Sequence, residues 1–333
     1  MSKVCSIGGQ AVMEGVMMRS PAGIAMAVRT PDGKIVTEYT ESKSKAQKGT
    51  FYGLPIVRGV VSFVESLALG MRTLTRSAEL SGEDLEEGTT KFERWLAEKM
   101  GKSVEKIVLG LAVVLAIVLS VGLFFILPTV VSSLAFRVSG AVPSVVKSLT
   151  EGLVRLLIFI GYILFCAQVK DVRRVFMYHG AEHKTIACYE AEQPLTPENA
   201  MQHSRLHPRC GTNYLFLVMA VSILFFALVG WSSNVLIRIG TRLLFLPLVA
   251  GLSYEILRFA AKYDNILTRV IRAPGMALQY ITTKEPTPDM IEVALAAFTL
   301  AMSTVEGSGF VPTVPPVSEE KSAEEAPPVT NPA

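Results

Sequence analysis

Charged residues are scarce in this sequence of 333 residues. Asp, Glu, Lys and Arg make up only 18% of the chain, while hydrophobic residues make up 50%. A soluble domain normally contains about 25% charged residues, so the composition favours membrane-spanning segments. We expect no nucleic-acid partner, because the net charge is only +3 and the sequence has no dense basic run. Glycines and charges interrupt the first apolar residues, so we expect no signal peptide there.

Cysteine is also rare, and its spacing argues against a disulfide framework. The chain contains four cysteines and no C-x-x-C pair, and Cys166 lies inside an apolar run. We therefore expect reduced thiols rather than bridges. Cys210 is of particular interest, because it follows His207 by only three residues.

Only four histidines occur, and all four lie in two H-x3-H pairs. The first pair is His179 and His183, in the sequence H-x-x-E-H, and the second is His203 and His207. On a helix, two histidines at this spacing lie one turn apart on the same face. Two neutral imidazoles so placed can bind Zn²⁺ or another divalent ion. The second pair would provide a third and a fourth ligand, with the softer Cys210 as an alternative.

The glutamate of the motif, Glu182, lies beside the first histidine pair and is a candidate general base for a water activated by the ion. The inverted zincin proteases have a motif of this form, but their third ligand, a glutamate on a later helix, has no evident counterpart here. Arg209 is a candidate for orienting an anionic or carbonyl-bearing substrate. In the metal-free alternative, the histidines only form hydrogen bonds, and Glu182 pairs with Lys184 or Arg209.

Long apolar runs predict membrane spans, and only the second contains charged residues, Glu151 and Arg155 near its start. About 20 apolar residues cross a bilayer as a helix. The sequence contains three runs of this length and a shorter fourth. Four spans are therefore predicted, with the alternative that the last two runs form a re-entrant hairpin. The runs are Ile107–Phe136, Leu149–Val169, Asn213–Ile237 and Leu243–Tyr254. Lys and Arg are concentrated before the first run, between the second and third, and after the fourth. The positive-inside rule therefore predicts that both termini and the histidine segment are cytosolic.

The predicted fold is a mainly α-helical membrane protein with about four transmembrane helices, a small β-containing N-terminal unit in the cytosol and a C-terminal amphipathic helix. The N-terminal unit contains a hairpin of Ile24–Arg29 with Ile35–Thr40. Before it comes a glycine-rich stretch, interpreted as a loop that docks on the core; alternatively, its Glu14 or Arg19 contacts the histidine segment or substrate. The predicted domains are a β-rich unit (1–56), an amphipathic and charged helical region (57–103), a membrane domain (104–260) with a cytosolic histidine loop (170–212), a helical region (261–310) and a disordered tail (311–333).

Several separated motifs resemble the bacterial YqhQ-like family. They are G-Q-A-V-M-E-G-V-M-M-R (9–19), H-G-A-E-H-K (179–184), H-P-R-C-G-T (207–212), A-P-G (273–275) and T-T-K-E-P (282–286). The resemblance runs from about residue 6 to 305. The family is a domain of unknown function that carries the label of a metal-dependent enzyme. The resemblance implies a multi-pass protein of the bacterial cell membrane and gives no substrate.

Two functions follow as hypotheses. In the first, the protein is a metal-dependent hydrolase acting at the inner leaflet: His179, His183 and His207 hold zinc, or else manganese or iron, and His203 or Cys210 adjusts the site. In the second, it is a non-enzymatic scaffold that binds membrane or cytosolic proteins, with a structural histidine cluster. A transporter is disfavoured, because the first and third runs contain no ionisable residue. The lipid bilayer is an expected partner in either case.

Overall fold

The computed structural model describes residues 7–42, 44–46, 49–82, 104–136, 142–263 and 265–305. The predicted charged segment beyond residue 82 and the predicted disordered tail lie outside these residues. The described part is mainly helical and contains one small antiparallel sheet. This agrees with the predicted fold class of long apolar helices with a small N-terminal β-sheet.

The sheet has four strands in the order β1 (Gly8–Val12), β2 (Gly15–Arg19), β3 (Gly23–Arg29) and β4 (Ile35–Glu41). The predicted hairpin is confirmed as β3 and β4. The prediction of a loop for the glycine-rich stretch is wrong, because it forms β1 and β2, joined by a two-residue turn in which Glu14 has a φ of 47°. Val16 and Met18 face one side of the sheet and Met17 the other, so both faces are buried.

Helices cover both faces of the sheet. On one face lie α5 (Lys170–Glu190) and α10 (Pro288–Ser303), which bury side chains such as Tyr178 and Phe298. Each fully buried side chain of this size contributes about 1.5–3 kcal/mol. On the other face, α1 (Val57–Leu80) contributes Leu69 and Leu80. The segment predicted as a histidine loop is therefore largely helical and forms part of this layered unit.

Four helical segments are long and apolar enough to cross a membrane. The first is formed by α2 (Val104–Val121), a π-helical turn (Gly122–Ile126) and α3 (Leu127–Ala135); the others are α4 (Ser144–Cys166), α7 (Thr212–Val229) and α8 (Val235–Lys262). The fourth is much longer than the predicted run, because its helix continues through charged residues at both ends. At 28 residues it exceeds the length that a span requires.

Two further helices and one extended link complete the surroundings of the histidines. These are α6 (Pro197–Met201), α9 (Ile266–Thr282) and the link between α9 and α10. The Lys284 N–H donates to the Phe176 carbonyl at 2.8 Å. Gly180 lies where a Cβ atom would overlap the Lys284 carbonyl oxygen, so only glycine lets the link pass this close to α5.

Candidate metal centre

Three potential metal ligands converge where α5 meets the start of α7. The ligand atoms of His179, His183 and Cys210 all lie within 4.8 Å of one another. The two imidazoles occupy successive turns of α5, as predicted, and their ring centroids are 4.4 Å apart. Cys210 lies two residues before the start of α7, and its Sγ lies 3.2 Å from Nε2 of His179. This group has the geometry and the donor types of a site for a divalent ion.

Backbone carbonyls orient both rings. Nδ1 of His179 lies 2.9 Å from the Thr282 carbonyl, and Nδ1 of His183 lies 2.6 Å from the Arg205 carbonyl. A carbonyl can only accept, so each Nδ1 must carry the proton. In the neutral ring, Nε2 then keeps its lone pair for an ion. Metal-binding histidines commonly use their second nitrogen in this way.

A cation would satisfy an otherwise unpaired buried nitrogen. Nε2 of His183 is buried and has no hydrogen-bond partner among the described residues, which costs about 1–3 kcal/mol if nothing binds it. Burial lowers the pKa of His183 more than its contact with the Cys210 side chain raises it, which favours the neutral form that binds metal. On the third ligand, the Thr212 N–H and hydroxyl donate to Sγ of Cys210 at 3.4 and 3.3 Å. The residues therefore fit a metal, and a set of two nitrogens and one sulfur suits zinc.

Glu182 lies beside this group but is enclosed. Its residue is only 4% exposed, and the Gly9 N–H donates to its carboxylate. Burial raises the pKa of Glu182, against the lowering effects of His179, of His207 and of the Gly9 hydrogen bond. Its Oε2 has no hydrogen-bond partner among the described residues. Among the described residues, the carboxylate is therefore hydrogen-bonded through one of its two oxygens and not through the other.

The pairing of Glu182 with Lys184 or Arg209, which the metal-free alternative predicts, is not observed, because both cations have other partners. Lys184 donates to the carbonyls of Met201 and His203 at 2.9 and 2.7 Å and pairs with Glu285. It therefore fixes the segment after α6 to the histidine helix. Arg209 forms its ion pair with Glu190.

The second histidine pair does not join the convergent group. His203 lies apart, with its Nε2 2.8 Å from Oε1 of Gln193. His207 lies at the edge of the group, where its ring centroid is 5.6 Å from that of His183, but its Nε2 faces Glu190 at 3.4 Å. Of the five predicted ligands, three are therefore brought together, one is adjacent and one is separate.

The sequence interpretation missed the groups that hold these residues in place. Gln279 accepts from the His207 N–H at 2.8 Å and donates to the His207 carbonyl at 2.9 Å. Glu190 pairs with both Arg209 and His207. Helical spacing could have revealed Glu190, because it lies seven residues after His183, two turns along α5. The carbonyls of Thr282 and Arg205 have no sequence signature at all.

A cavity of about 720 Å³ lies beside His179 and Cys210. Its walls come from β1, β2, α1, α5 and the first turn of α7, and they are mainly apolar. Arg19 is the charged residue among those that line it, and Leu215 belongs to a candidate membrane span. The cavity therefore extends from the possible metal ligands to the end of an apolar helix.

Glu14, which the sequence interpretation linked to the histidine segment as one alternative, does contact it. Its carboxylate pairs with Arg174 and lies 3.2 Å from the Tyr178 hydroxyl. Burial and the neighbouring carboxylate raise the pKa of Tyr178. This contact fastens the β1–β2 turn to α5, and it therefore helps to hold β1, which contains Gly9, next to Glu182.

Gly9 and Gly8 offer a matched test of this packing. A Cβ atom on Gly9 would lie 2.7 Å from Cδ of Glu182, whereas one on Gly8 would meet nothing within 4 Å. We expect Gly9→Ala to destabilise the protein by about 1–3 kcal/mol, the usual cost of overpacking, and Gly8→Ala to have little effect. Thermal unfolding of the detergent-purified variants measures both. Equal melting temperatures would contradict the close packing of Gly9 on Glu182.

Comparisons with known proteins agree with the resemblance described above. The family "Protein of unknown function (DUF1385)" matches residues 54–304. The "Uncharacterized protein YqhQ" of Bacillus subtilis (strain 168) is 33% identical over 294 residues, which cover 87% of this chain and 90% of that protein. No solved structure matches the chain. A match over most of the chain, together with this identity, shows that the protein belongs to the YqhQ-like DUF1385 family.

Proposed function

We propose that this protein is an integral protein of the bacterial cell membrane that holds a divalent metal at its cytosolic face and acts as a hydrolase on a molecule of the inner leaflet. The observation that carries the proposal is the ligand geometry. Both imidazoles have carbonyl-bonded Nδ1 atoms, and the ligand atoms of the two rings and of one cysteine lie within 4.8 Å of one another. Such preorganisation is typical of metal-binding histidines.

The number of ligands favours catalysis over a structural role. Structural zinc sites normally have four protein ligands, whereas catalytic sites have three and leave a position for water or substrate. His179, His183 and Cys210 supply three. Zinc is the ion we favour, with manganese or iron as alternatives. A bound divalent ion would supply Lewis-acid activation of water and of a carbonyl or phosphoryl oxygen.

The protein's own groups would move the protons and position the substrate. We assign Glu182 as the base that takes a proton from the attacking water and returns it to the leaving group, because burial raises its pKa and its Oε2 is unpaired. Arg209 is paired with Glu190 and is not among the described residues that line the cavity, whereas Arg19 is among them and lies 3.9 Å from the carboxylate of Glu65. We therefore transfer the role of binding an anionic part of the substrate to Arg19, which lines the cavity.

The position of the cavity supports a membrane-derived substrate. Its wall reaches Leu215 in a candidate span. Helix α1, which forms another wall, leaves Val64, Leu67 and Met71 more than half exposed at helical spacing. A stripe of this kind suits an amphipathic helix lying in the membrane interface. An amphiphile with an anionic head and an apolar tail would match the mainly apolar lining around Arg19.

The substitution Glu182→Gln tests the proposal most directly. It removes the base but keeps the shape, so turnover should fall by roughly a hundredfold or more while bound metal stays at the wild-type level. The assay uses metal-loaded protein in vesicles of bacterial phospholipid, with mass spectrometry of released head groups and fatty acids. Complementation of a strain that lacks the gene provides a substrate-independent readout. If Glu182→Gln complements like the wild type, the hydrolase proposal fails.

The second candidate is a non-enzymatic scaffold with a structural histidine cluster. One observation favours it: Glu182 is enclosed against Gly9 and is absent from the described residues that line the cavity. In this case Glu182→Gln should be tolerated, whereas His179→Ala should disrupt the link between α9 and α10 and abolish partner binding. The two candidates therefore differ in their response to a single substitution.

A further inference from the structure

A cluster of buried charges lies at the opposite end of the helical bundle from the histidines. It consists of Glu151 and Arg155 on α4 and Arg238 and Arg242 on α8. Each of these residues is at most 6% exposed. The histidine group lies at the start of α7 and this cluster beyond its end. The 18 residues of α7 place the two sites roughly 27 Å apart at 1.5 Å per residue.

Glu151 is the centre of the cluster. Its carboxylate pairs with Arg242, lies 3.4 Å from Nε of Arg238 and lies 3.6 Å from Nη2 of Arg155. The Thr129 hydroxyl donates to it at 2.7 Å. One carboxylate is therefore shared by three guanidinium groups from two helices.

The arginines have further partners, but these are neutral. Nε of Arg155 donates to the Phe124 carbonyl at 2.8 Å, within the π-helical turn. Arg238 donates to the carbonyls of Ser232 and Thr129 at 3.0 and 3.1 Å. Nε of Arg238 and Nη2 of Arg155 have no hydrogen-bond partner among the described residues. Neutral acceptors satisfy donors without cancelling charge, so the cluster keeps an excess of positive charge.

The sequence limits what can compensate this excess. Glu151 is the only acidic residue from Ile107 to Val169, and none occurs from Thr212 to Tyr254. Three arginines and one glutamate give the cluster a formal charge of +2. Arginine cannot shed its proton in a protein, and uncompensated buried charges are costly. A compensating anion would therefore come from outside these two ranges.

A cavity of about 220 Å³ adjoins the two arginines of α8. It is lined by Arg238, Arg242, Ser232, Thr241 and the aromatic residues Phe226 and Trp231, among others. The Arg238 guanidinium stacks on the Trp231 ring at 3.8 Å from its centroid. This stacking fixes the plane of the guanidinium, so that its donors are held in place beside an open space.

We propose that this cavity binds a phosphate-type anion, held by Arg238 and Arg242. A guanidinium group is planar and offers paired donors that match phosphate oxygens, and both arginines line this cavity. A phosphate group brings one or two negative charges and so cancels all or part of the excess. Ser232 and Thr241 add neutral hydroxyl groups to the wall. The site is independent of the proposed hydrolase centre.

Two sources supply a phosphate of this chemistry: the head group of an anionic phospholipid or a soluble phosphate. The surroundings suit a lipid. Leu228 and Leu236 on the two flanking helices are 89% and 79% exposed, and a tryptophan at the end of a span is typical of the membrane interface. A lipid could therefore place its head group in the cavity and its chains along these helices.

The test uses the full-length protein reconstituted in nanodiscs with phosphatidylcholine and phosphatidylglycerol. Native mass spectrometry of the released protein counts the retained lipids. We expect the wild type to retain phosphatidylglycerol in preference to phosphatidylcholine. The preference should fall by about tenfold or more in Arg242→Gln, which removes a charge-assisted contact. Arg258→Gln removes an exposed arginine from the far end of α8 and serves as the matched control.

Thr241→Leu provides a second variant that leaves every charge in place. It fills part of the cavity and should reduce the same preference even if Arg242→Gln fails to fold. A second arm adds inorganic phosphate to the detergent-purified protein and follows its melting temperature. Stabilisation by phosphate that depends on Arg242, without lipid preference, would assign the site to a soluble ligand. Equal retention of both lipids together with no effect of phosphate would overturn the proposal.

Discussion

Replacing both His179 and His183 by alanine should remove the bound metal from the purified protein. The wild type should carry about one zinc, manganese or iron per chain, as expected for a single site. The double variant loses two of the three convergent ligands and leaves only Cys210. One thiolate cannot hold a divalent ion against dilution, so the metal content should fall by at least tenfold. Mass spectrometry of the metals, after purification without chelators or a histidine tag, measures it.

Two further variants decide which residues are ligands. His203→Ala should keep the metal, because His203 is bonded to Gln193 away from the group. Cys210→Ser should lose most of it if the sulfur is the third ligand, whereas His207→Ala should lose little. If His207→Ala loses the metal and Cys210→Ser keeps it, His207 is the third ligand, as the sequence predicts. A wild-type protein without any bound metal would contradict the centre altogether.

The metal ligands could be predicted from the sequence only in part. The spacing of His179 and His183 is a local property of one helix, so their common face could be predicted from sequence. The third ligand depends on how the segment before α7 approaches α5, which is a tertiary contact between distant parts of the chain. The Arg205 and Thr282 carbonyls that orient the rings are also products of tertiary packing. Neither could be obtained from spacing alone.

The β1–β2 hairpin and the long fourth helix were missed for related physical reasons. Glycine permits many backbone conformations, so Gly8, Gly9 and Gly15 suggested a loop, although alternating Val16, Met17 and Met18 could have indicated a strand buried on both faces.

In α8, Arg238 and Arg242 looked like the polar flank of a short span. They belong inside the helix because Glu151 pairs with them from α4. Hydropathy registers a charge but not its partner on another helix.

The same pairing predicts that Glu151→Leu will be among the most damaging single substitutions in the bundle. Three buried guanidinium groups would lose their shared carboxylate and would be left with neutral acceptors only. Removing one partner of a buried pair typically costs about 3–5 kcal/mol. We expect a large fall in the temperature at which the detergent-purified protein loses its monodisperse peak in size-exclusion chromatography. Thr129→Val removes only a hydrogen bond to Glu151 and should cost about 1 kcal/mol.

Further variants distinguish two causes of that loss of stability, namely unpaired charge and a packing defect. If unpaired charge is responsible, adding Arg242→Leu to Glu151→Leu should recover part of the stability, because it removes one of the stranded cations. If packing is responsible, the second substitution should add its own cost to the first. Phosphatidylglycerol should also stabilise Glu151→Leu more than it stabilises the wild type, since an anion in the adjoining cavity would replace some of the missing negative charge. A Glu151→Leu protein as stable as the wild type in lipid-free detergent would show that the carboxylate does not hold the arginines.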